Sequence, residues 1–170
     1  MVYWEKQSGQ LCAQHALNSL LQGPYFSAVD LSEIASKLDQ QESALNSKLP
    51  ENMDDTGYFS IQVISEALDI FKLEMIHIES DSVKGIKLEN EDAFICNREN
   101  HWFTLRNFRS IGWYNLDSTL DSPCKISDTY LGLYILEVKN VYVIRGNLPF
   151  VDESGLDEDL DRAIAMSLQE

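Results

Sequence analysis

Apolar residues recur at helical spacing through Ala13, Ala16, Leu17, Leu20 and Leu21, so the pattern predicts a helix from Cys12 to Leu21, closed by Gly23-Pro24. A second helix is expected over Val29 to Leu38. Ser27 is its N-cap, Asp30 stands three residues on, and Leu31, Ile34, Ala35 and Leu38 form its buried stripe. The stretch from Asp39 to Gly57 is mostly polar and reads as a long excursion outside the core. Helical periodicity returns from Tyr58 to Lys72 through Phe59, Val63, Ile64, Ala67, Leu68 and Phe71. Beyond it the chain changes character. Leu73–Ile78, Ala93–Asn97, His101–Arg106, Trp113–Leu116 and Val141–Arg145 are short and rich in β-branched and aromatic residues, as strands are. One more helix is expected over Ser127 to Glu137. Helices first and strands later indicate an α+β fold.

Composition and charge narrow the function. A chain of 170 residues, 44% hydrophobic and 24% charged, has the make-up of one globular domain with an appendage. The net charge of −15 argues against nucleic acid or an anionic membrane as the main partner. No apolar run reaches the roughly 20 residues of a membrane helix, and the start lacks a signal-peptide pattern. After Pro149 the composition shifts. Residues 152–170 hold seven acids and one base, a net −6, which leaves −9 on the rest. Asp152-Glu153-Ser154-Gly155 reads as a linker to a separate element.

The cysteines are Cys12, Cys96 and Cys124, widely spaced and without a CxxC pair. That pattern disfavours disulfides and zinc and fits a reducing cytoplasmic or nuclear compartment. Cys12 falls in the first turn of its predicted helix, where backbone N–H groups and the helix dipole favour a thiolate. Cys96 lies in an apolar strand, and Cys124 follows Pro123 in a loop. Of the histidines, His101 opens a strand, and a hairpin tip near Phe108 places it opposite Asn115. A Cys early in the chain, with His and Asn far downstream, is the order of a papain-like triad. Gln7, just upstream of Cys12, is placed to donate to an oxyanion together with the Cys12 backbone N–H. His15, one turn after Cys12, is expected to pack or hydrogen-bond beside the site, and His77 to be structural.

These residues sit in recognisable blocks. Gln7-Ser8-Gly9-Gln10-Leu11-Cys12-Ala13-Gln14-His15-Ala16-Leu17-Asn18 resembles the nucleophile segment of the Josephin family of deubiquitinating cysteine proteases. Asn52-Met53-Asp54-Asp55-Thr56-Gly57-Tyr58-Phe59-Ser60-Ile61-Gln62-Val63-Ile64 resembles its central block. Phe94-Ile95-Cys96-Asn97 with His101-Trp102-Phe103-Thr104 resembles its histidine strand, and Trp113-Tyr114-Asn115-Leu116-Asp117-Ser118 its asparagine strand. The resemblance runs from about Val2 to Pro149. It implies a papain-like fold with the nucleophile helix packed on a small antiparallel sheet, and catalytic roles for Cys12, His101, Asn115 and Gln7. It also implies ubiquitin conjugates or chains as substrate, no cofactor and no metal. Ile61, Gln62 and Phe71 become candidates for a ubiquitin-holding surface, although periodicity suits Phe71 equally to the core. The stretch between Leu38 and Asn52 is shorter than the family's, where a long helical hairpin projects over the cleft.

The tail resembles a ubiquitin-interacting motif: an acidic start, then Leu160, Ala163, Ile164, Ser167, Leu168 and a final acid. The apolar members share one helical stripe, and the small Ala163 and Ser167 let a partner come close. The expected organisation is a catalytic domain over 1–150, a linker over 151–155 and a binding helix over 156–170. The chain is expected to be a monomer in cytoplasm and nucleus, with ubiquitin and polyubiquitin as partners. The alternative from another class is a ubiquitin-chain receptor or scaffold with weak or absent catalysis.

Overall fold

The computed structural model describes residues 2–7, 11–45, 52–53 and 59–149. The expected linker and tail helix lie outside these residues, as do 46–51 and 54–57 of the polar excursion and Tyr58 at the head of the expected third helix.

Helix α1 spans Cys12–Leu21 and buries Ala13, Ala16, Leu17, Leu20 and Leu21. It ends at Leu21, as expected, ahead of the glycine stop. Gln22 takes the left-handed conformation at φ 61°, and the Gly23 N–H closes on the Asn18 carbonyl at 3.1 Å. Helix α2 spans Ala28–Leu45, well past the expected Leu38. The buried stripe stops near there, but Gln40, Gln41 and Glu42 tolerate a helix and no Gly or Pro breaks it. At its start Ser27 and Asp30 form the expected reciprocal cap: the Asp30 N–H donates to Ser27 Oγ at 3.2 Å, and the Ser27 N–H donates to Asp30 Oδ2 at 2.8 Å. Helix α3 is shorter than the pattern suggested, Ile61–Ile70, because Ser60 caps it through the Val63 N–H and Lys72 turns left-handed at φ 56°. Helix α4 spans Asp128–Val138, with Ser127 as N-cap.

The strands are β1 Glu74–His77, β2 Ala93–Arg98, β3 His101–Phe108, β4 Gly112–Asn115, β5 Cys124–Ile126 and β6 Asn140–Arg145. They form one sheet in the order β1-β6-β2-β3-β4-β5, every pairing antiparallel. Strand β5 was not expected, so Cys124 belongs to an edge strand rather than a loop. It is three residues long and exposed at its first two positions, which leaves no alternation to read.

Alternation in the central strands sends side chains to opposite faces. Ala93, Ile95 and Trp102 pack beneath α1, α2 and α3 with Leu17, Leu20, Val63, Ile64 and Leu68. Phe94, Cys96, Phe103, Leu105 and Trp113 pack on the other face with Leu131, Ile135 and Val138 of α4. The sheet is thus covered on both sides, the α1 side carrying Cys12 at the start of its helix.

The hairpin of β3 and β4 has a different register from the expected one. Asn115 pairs with Leu105, and Phe108 with Gly112, so His101 has no partner on β4. Strand β3 runs two residues further than Arg106 because Phe108 is itself buried and packs edge-on against Tyr114 at 5.9 Å. The tip therefore moves to 109–111, and Gly112 supplies a φ of 93° beyond it.

Candidate active site

Cys12 opens α1 and is only 4% exposed. No side chain caps that helix start. The rest of α1 is held on β3 by polar ties. Thr104 Oγ1 donates to the Ala16 carbonyl at 2.7 Å, and the buried Arg106 guanidinium donates to the Leu20 carbonyl and, at 3.0 Å, to that of Pro149. Burial pushes Arg106 down to about 10, with Asp92 opposing, so it stays a cation at neutral pH, set against the negative end of the α1 dipole.

His101 comes to Cys12 through a tight turn. Arg98 pairs with His101, and the two residues between them, Glu99 and Asn100, both take positive φ, 51° and 63°. The turn brings the Asn100 carbonyl 4.0 Å from Cys12 Sγ and starts β3 with His101 beside the helix tip. His101 Nε2 lies 2.7 Å from Asp117 Oδ1. Cys12 is the other neighbour that favours the protonated imidazole. Burial works against the imidazolium, but Asp117 and Cys12 together outweigh it and push the group from 6.5 up to about 9.

The residue on His101 is therefore Asp117, where the sequence pattern had pointed to Asn115. The cause is the register. With Asn115 opposite Leu105, the chain leaves the sheet after β4 and folds back, and the Asn115 side-chain oxygen accepts from the Asp117 N–H at 3.0 Å. Asn115 thus stands behind the carboxylate. Asp117 is held at its N–H, its carbonyl and its Oδ1. Its carboxylate also accepts from Thr119 N at 2.9 Å and Thr119 Oγ1 at 2.8 Å, and its carbonyl accepts from Trp4 Nε1 at 3.0 Å. Burial would raise its carboxyl, but the bonds from His101 and Thr119 hold it below the usual 3.8. The signal that could have found Asp117 is the Asn115-Leu116-Asp117 spacing, which suits an Asx turn placing a second polar side chain two residues on.

Gln7 lies alongside the same loop. Its backbone N–H donates to the Ser118 carbonyl at 2.8 Å, and its Oε1 accepts from Ser118 Oγ at 3.0 Å. With the amide oxygen engaged as acceptor, the Gln7 NH2 is the end suited to an oxyanion. Lys6 adds a bond to the Leu120 carbonyl at 2.9 Å and an ion pair with Asp121 at 3.0 Å. Residues 3–7 also grip α1 from behind. Tyr3 N donates to Gln22 Oε1 at 2.7 Å, and Glu5 accepts from Asn18 at 3.1 Å and contacts His15 Nδ1 at 2.9 Å. His15 is buried in that polar network, beside the site as expected. Sequence reasoning missed Glu5 and Asn18, which nothing in the spacing marked.

The other expected site residues fall on or near α3. Ile61 opens the helix partly buried against the core, and Gln62 is exposed. Phe71 follows its end, edge-on to Tyr25 at 5.3 Å and Phe26 at 5.8 Å, and half-lines a groove of about 460 Å³ with Ile34 and Ile70. Leu160, Ala163, Ile164, Ser167 and Leu168 lie outside the described residues. Cys96 is fully buried, and burial pushes its thiol up out of the reactive range. His77 accepts from the Glu79 N–H at 3.2 Å and packs against Tyr142. Among the described residues no cluster of His, Cys, Asp and Glu could hold a metal ion, and no helix is long and apolar enough to cross a membrane.

Comparison with known proteins shows the family. The Josephin family profile matches residues 7–144. Ataxin-3 of Rattus norvegicus is 43% identical over 168 residues, covering 87% of this chain and 47% of its own. Ataxin-3-like protein of Homo sapiens is 45% identical over the same shares. Ataxin-3 homolog of Caenorhabditis elegans is 37% identical, covering 91% of this chain and 52% of its own. The chain spans about half the length of these curated relatives. A profile match across nearly the whole described domain, on an α+β fold with α1 laid against β3, shows that the chain belongs to the Josephin family.

Proposed function

We propose that the chain is a thiol-dependent deubiquitinase, hydrolysing the bond at the C-terminal glycine of ubiquitin in conjugates or chains. The observation that carries this reading is His101, hydrogen-bonded to Asp117 at 2.7 Å and delivered by the tight turn at Glu99-Asn100 to the start of α1, where Cys12 favours its imidazolium. With Nε2 committed to Asp117, Nδ1 is the nitrogen that serves Cys12. His101 takes the thiol proton as Sγ attacks the glycine carbonyl carbon. The oxyanion is met by the Cys12 backbone N–H and the Gln7 amide. His101 returns the proton to the leaving lysine amine, and a thioester remains. Water, deprotonated by His101, then releases ubiquitin and restores the thiol. Asp117 keeps the imidazole in the working tautomer and favours the imidazolium, and Asn115 supports Asp117 from behind.

Ile61, Gln62 and Phe71 are proposed to hold ubiquitin beside this site. The helix over 156–170 is proposed as a second, weaker ubiquitin site, tethered by 151–155 at high effective concentration. The proposed setting is a monomer in cytoplasm and nucleus, binding neither nucleic acid nor membrane. The decisive experiment is cleavage of defined ubiquitin chains by the chain and by Cys12→Ala, with labelling by a ubiquitin C-terminal electrophile. Turnover and labelling that vanish with Cys12 support the reading. A wild-type chain that binds ubiquitin but neither cleaves nor labels makes it a receptor.

A further inference from the structure

Residues 3–7 bond in two directions. Trp4 Nε1 and Lys6 Nζ reach the loop after β4, at the Asp117 and Leu120 carbonyls, while Tyr3 and Glu5 turn the other way, onto α1. Alternate residues of an extended chain point to opposite sides, so this short strap joins the helix that carries Cys12 to the loop that carries Asp117. Glu5 is enclosed by donors. Its Oε1 accepts from His15 Nδ1 at 2.9 Å and from Asn18 Nδ2 at 3.1 Å, and its Oε2 accepts from the Tyr3 hydroxyl and from Asn18 Nδ2 at 3.3 Å. A carboxylate oxygen only accepts, so His15 Nδ1 carries the hydrogen. Both α1 partners are buried. Among the described residues His15 Nε2 has no partner, which leaves Glu5 as the polar hold on that ring. Asn18 is fixed from its far side as well: Oδ1 accepts from the Phe26 N–H at 2.8 Å, and Nδ2 donates to the Phe26 carbonyl at 2.9 Å. Glu5 therefore grips groups already locked into the fold.

We propose that Glu5 is a positioning residue for Gln7: its carboxylate locks the strap to α1 and so sets the spacing between the Gln7 amide and the Cys12 backbone N–H, the two donors to the oxyanion. This rests on the function proposed above. Gln7 follows Glu5 by two residues, at most about 7 Å of chain. Its own bonds run to Ser118, which fixes it to the loop and not to the helix. Cys12 rides on α1, whose polar ties run to β3. The strap spans the two. It touches α1 at two places of unequal value. Tyr3 exchanges bonds with the Gln22 amide, ten residues past Cys12 and about 15 Å along the helix. Glu5 holds His15, three residues past Cys12 and about 5 Å along it. The Glu5 tie is thus the one near enough to fix the nucleophile end against Gln7. Oxyanion donors act only from a narrow range of distance, and a shift of about 1 Å can cost about a hundredfold in rate.

The test is Glu5→Ala, alone and in a Gln7→Ala background, with rates normalised to sites titrated by the ubiquitin electrophile. Gln7→Ala should lower kcat by about a hundredfold, as loss of an oxyanion donor does. Glu5→Ala should lower it by about tenfold with KM within about twofold, because the interaction it disturbs is made in the transition state. In the Gln7→Ala background the same change should cost less than about twofold, since no amide remains to be misplaced. Glu5→Gln keeps an oxygen for Asn18 and for the His15 Nδ1–H and should recover most of the rate. Glu5→Asp keeps the charge but is a methylene shorter; it should fall between Gln and Ala and likewise lose its effect when Gln7 is absent, which keeps the test available should Glu5→Ala fold poorly. The second readout is hydrogen exchange at the Gln7 N–H, which is bonded to the Ser118 carbonyl at 2.8 Å. Exchange there should quicken about tenfold in Glu5→Ala and stay near wild type in Glu5→Gln. Losses that multiply across the two backgrounds, a rise in KM at constant kcat, or unmoved exchange at Gln7 would each overturn the proposal. The exchange rate reads out even if the wild-type chain turns over no substrate, a result that would sink the deubiquitinase reading while leaving the hold of Glu5 on Gln7 standing.

Discussion

Replacing Asp117 by Ala should cost far more activity than replacing Asn115 by Ala. The raised His101 value gives the scale. Moving from 6.5 to about 9 is worth about 3 kcal/mol of preference for the imidazolium at 1.36 kcal/mol per pH unit, net of the burial that opposes it. Asp117 and Cys12 share the favourable part of that preference, and a charge-assisted hydrogen bond alone contributes about 1.5–3 kcal/mol. The expected loss in kcat/KM is about 30-fold to 100-fold at neutral pH. Asn115→Ala leaves the 2.7 Å contact between Asp117 and His101 in place and forfeits only its support, for a loss of about tenfold. Asp117→Asn retains an acceptor for Nε2–H but not the charge. It should lose less than Ala at neutral pH and bring the basic limb of the pH profile down, because an imidazolium without its carboxylate gives up its proton sooner. The assay is steady-state cleavage of a ubiquitin-fused fluorogenic leaving group across pH, normalised by active-site titration. If Asn115→Ala proves more damaging than Asp117→Ala, or if Asp117→Asn leaves the basic limb in place, the assignment of the orienting role to the carboxylate is wrong.

Gly146→Ala should destabilise the fold by about 2 kcal/mol or more in chemical denaturation, because φ is +127° there and a Cβ would come within 2.9 Å of the Lys72 carbonyl and Leu73; an unchanged midpoint would show that the β6 end can shift. The stability added by the His101–Asp117 pair has a pH window. The His101 share is complete below pH 6.5 and lost as pH rises through about 9, while the Asp117 share holds above 3.8 and is lost as acid protonates the carboxyl below it. Melting curves of wild type and Asp117→Asn should therefore diverge most at intermediate pH and converge at both extremes; a constant offset would deny the linkage. Ala163→Asp or Ser167→Asp, placing charge on the contact stripe of the tail, should weaken capture of multi-ubiquitin chains and leave cleavage of a mono-ubiquitin substrate nearly untouched; equal loss on both substrates would place the tail in the catalytic core.

Much of the site was legible because the chemistry is carried by residue type and helix pattern. Cys12 could be read from its place at the start of a periodic run, and His101 from its place at the head of an aromatic strand. What could not be read was register. Whether Phe108 ends a turn or extends a strand depends on its packing against Tyr114, a contact that no one-dimensional pattern encodes, and a two-residue displacement of the tip takes Asn115 four positions from His101 along β3. The extension of α2 to Leu45 was missed for a related reason. Its second half has little apolar face, so periodicity falls silent while the backbone remains helical. Strand β5 and the Glu5–His15–Asn18 network were invisible because short edge strands and buried polar contacts follow from neighbours far away in sequence.

The strap at residues 3–7 bears on how the protein comes into being. Its bonds to the loop after β4 join residues more than a hundred positions apart, Trp4 to Asp117 and Lys6 to Leu120 among them, and Cys12 meets Asn100 across 88 positions. On a ribosome the nucleophile is made early, yet the carboxylate and the loop that hold its base arrive only after most of the sheet has been synthesised. Contacts this distant form late, since loop-closure entropy must be overcome before they reward the chain. Until then the Cys12 thiol has no His101 beside it and Gln7 lacks the Ser118 contacts that place its amide, so a half-made chain carries the cysteine without the groups proposed to activate it. Labelling of Cys12 by the ubiquitin electrophile should therefore appear with the completed topology during refolding, trailing the recovery of helical signal.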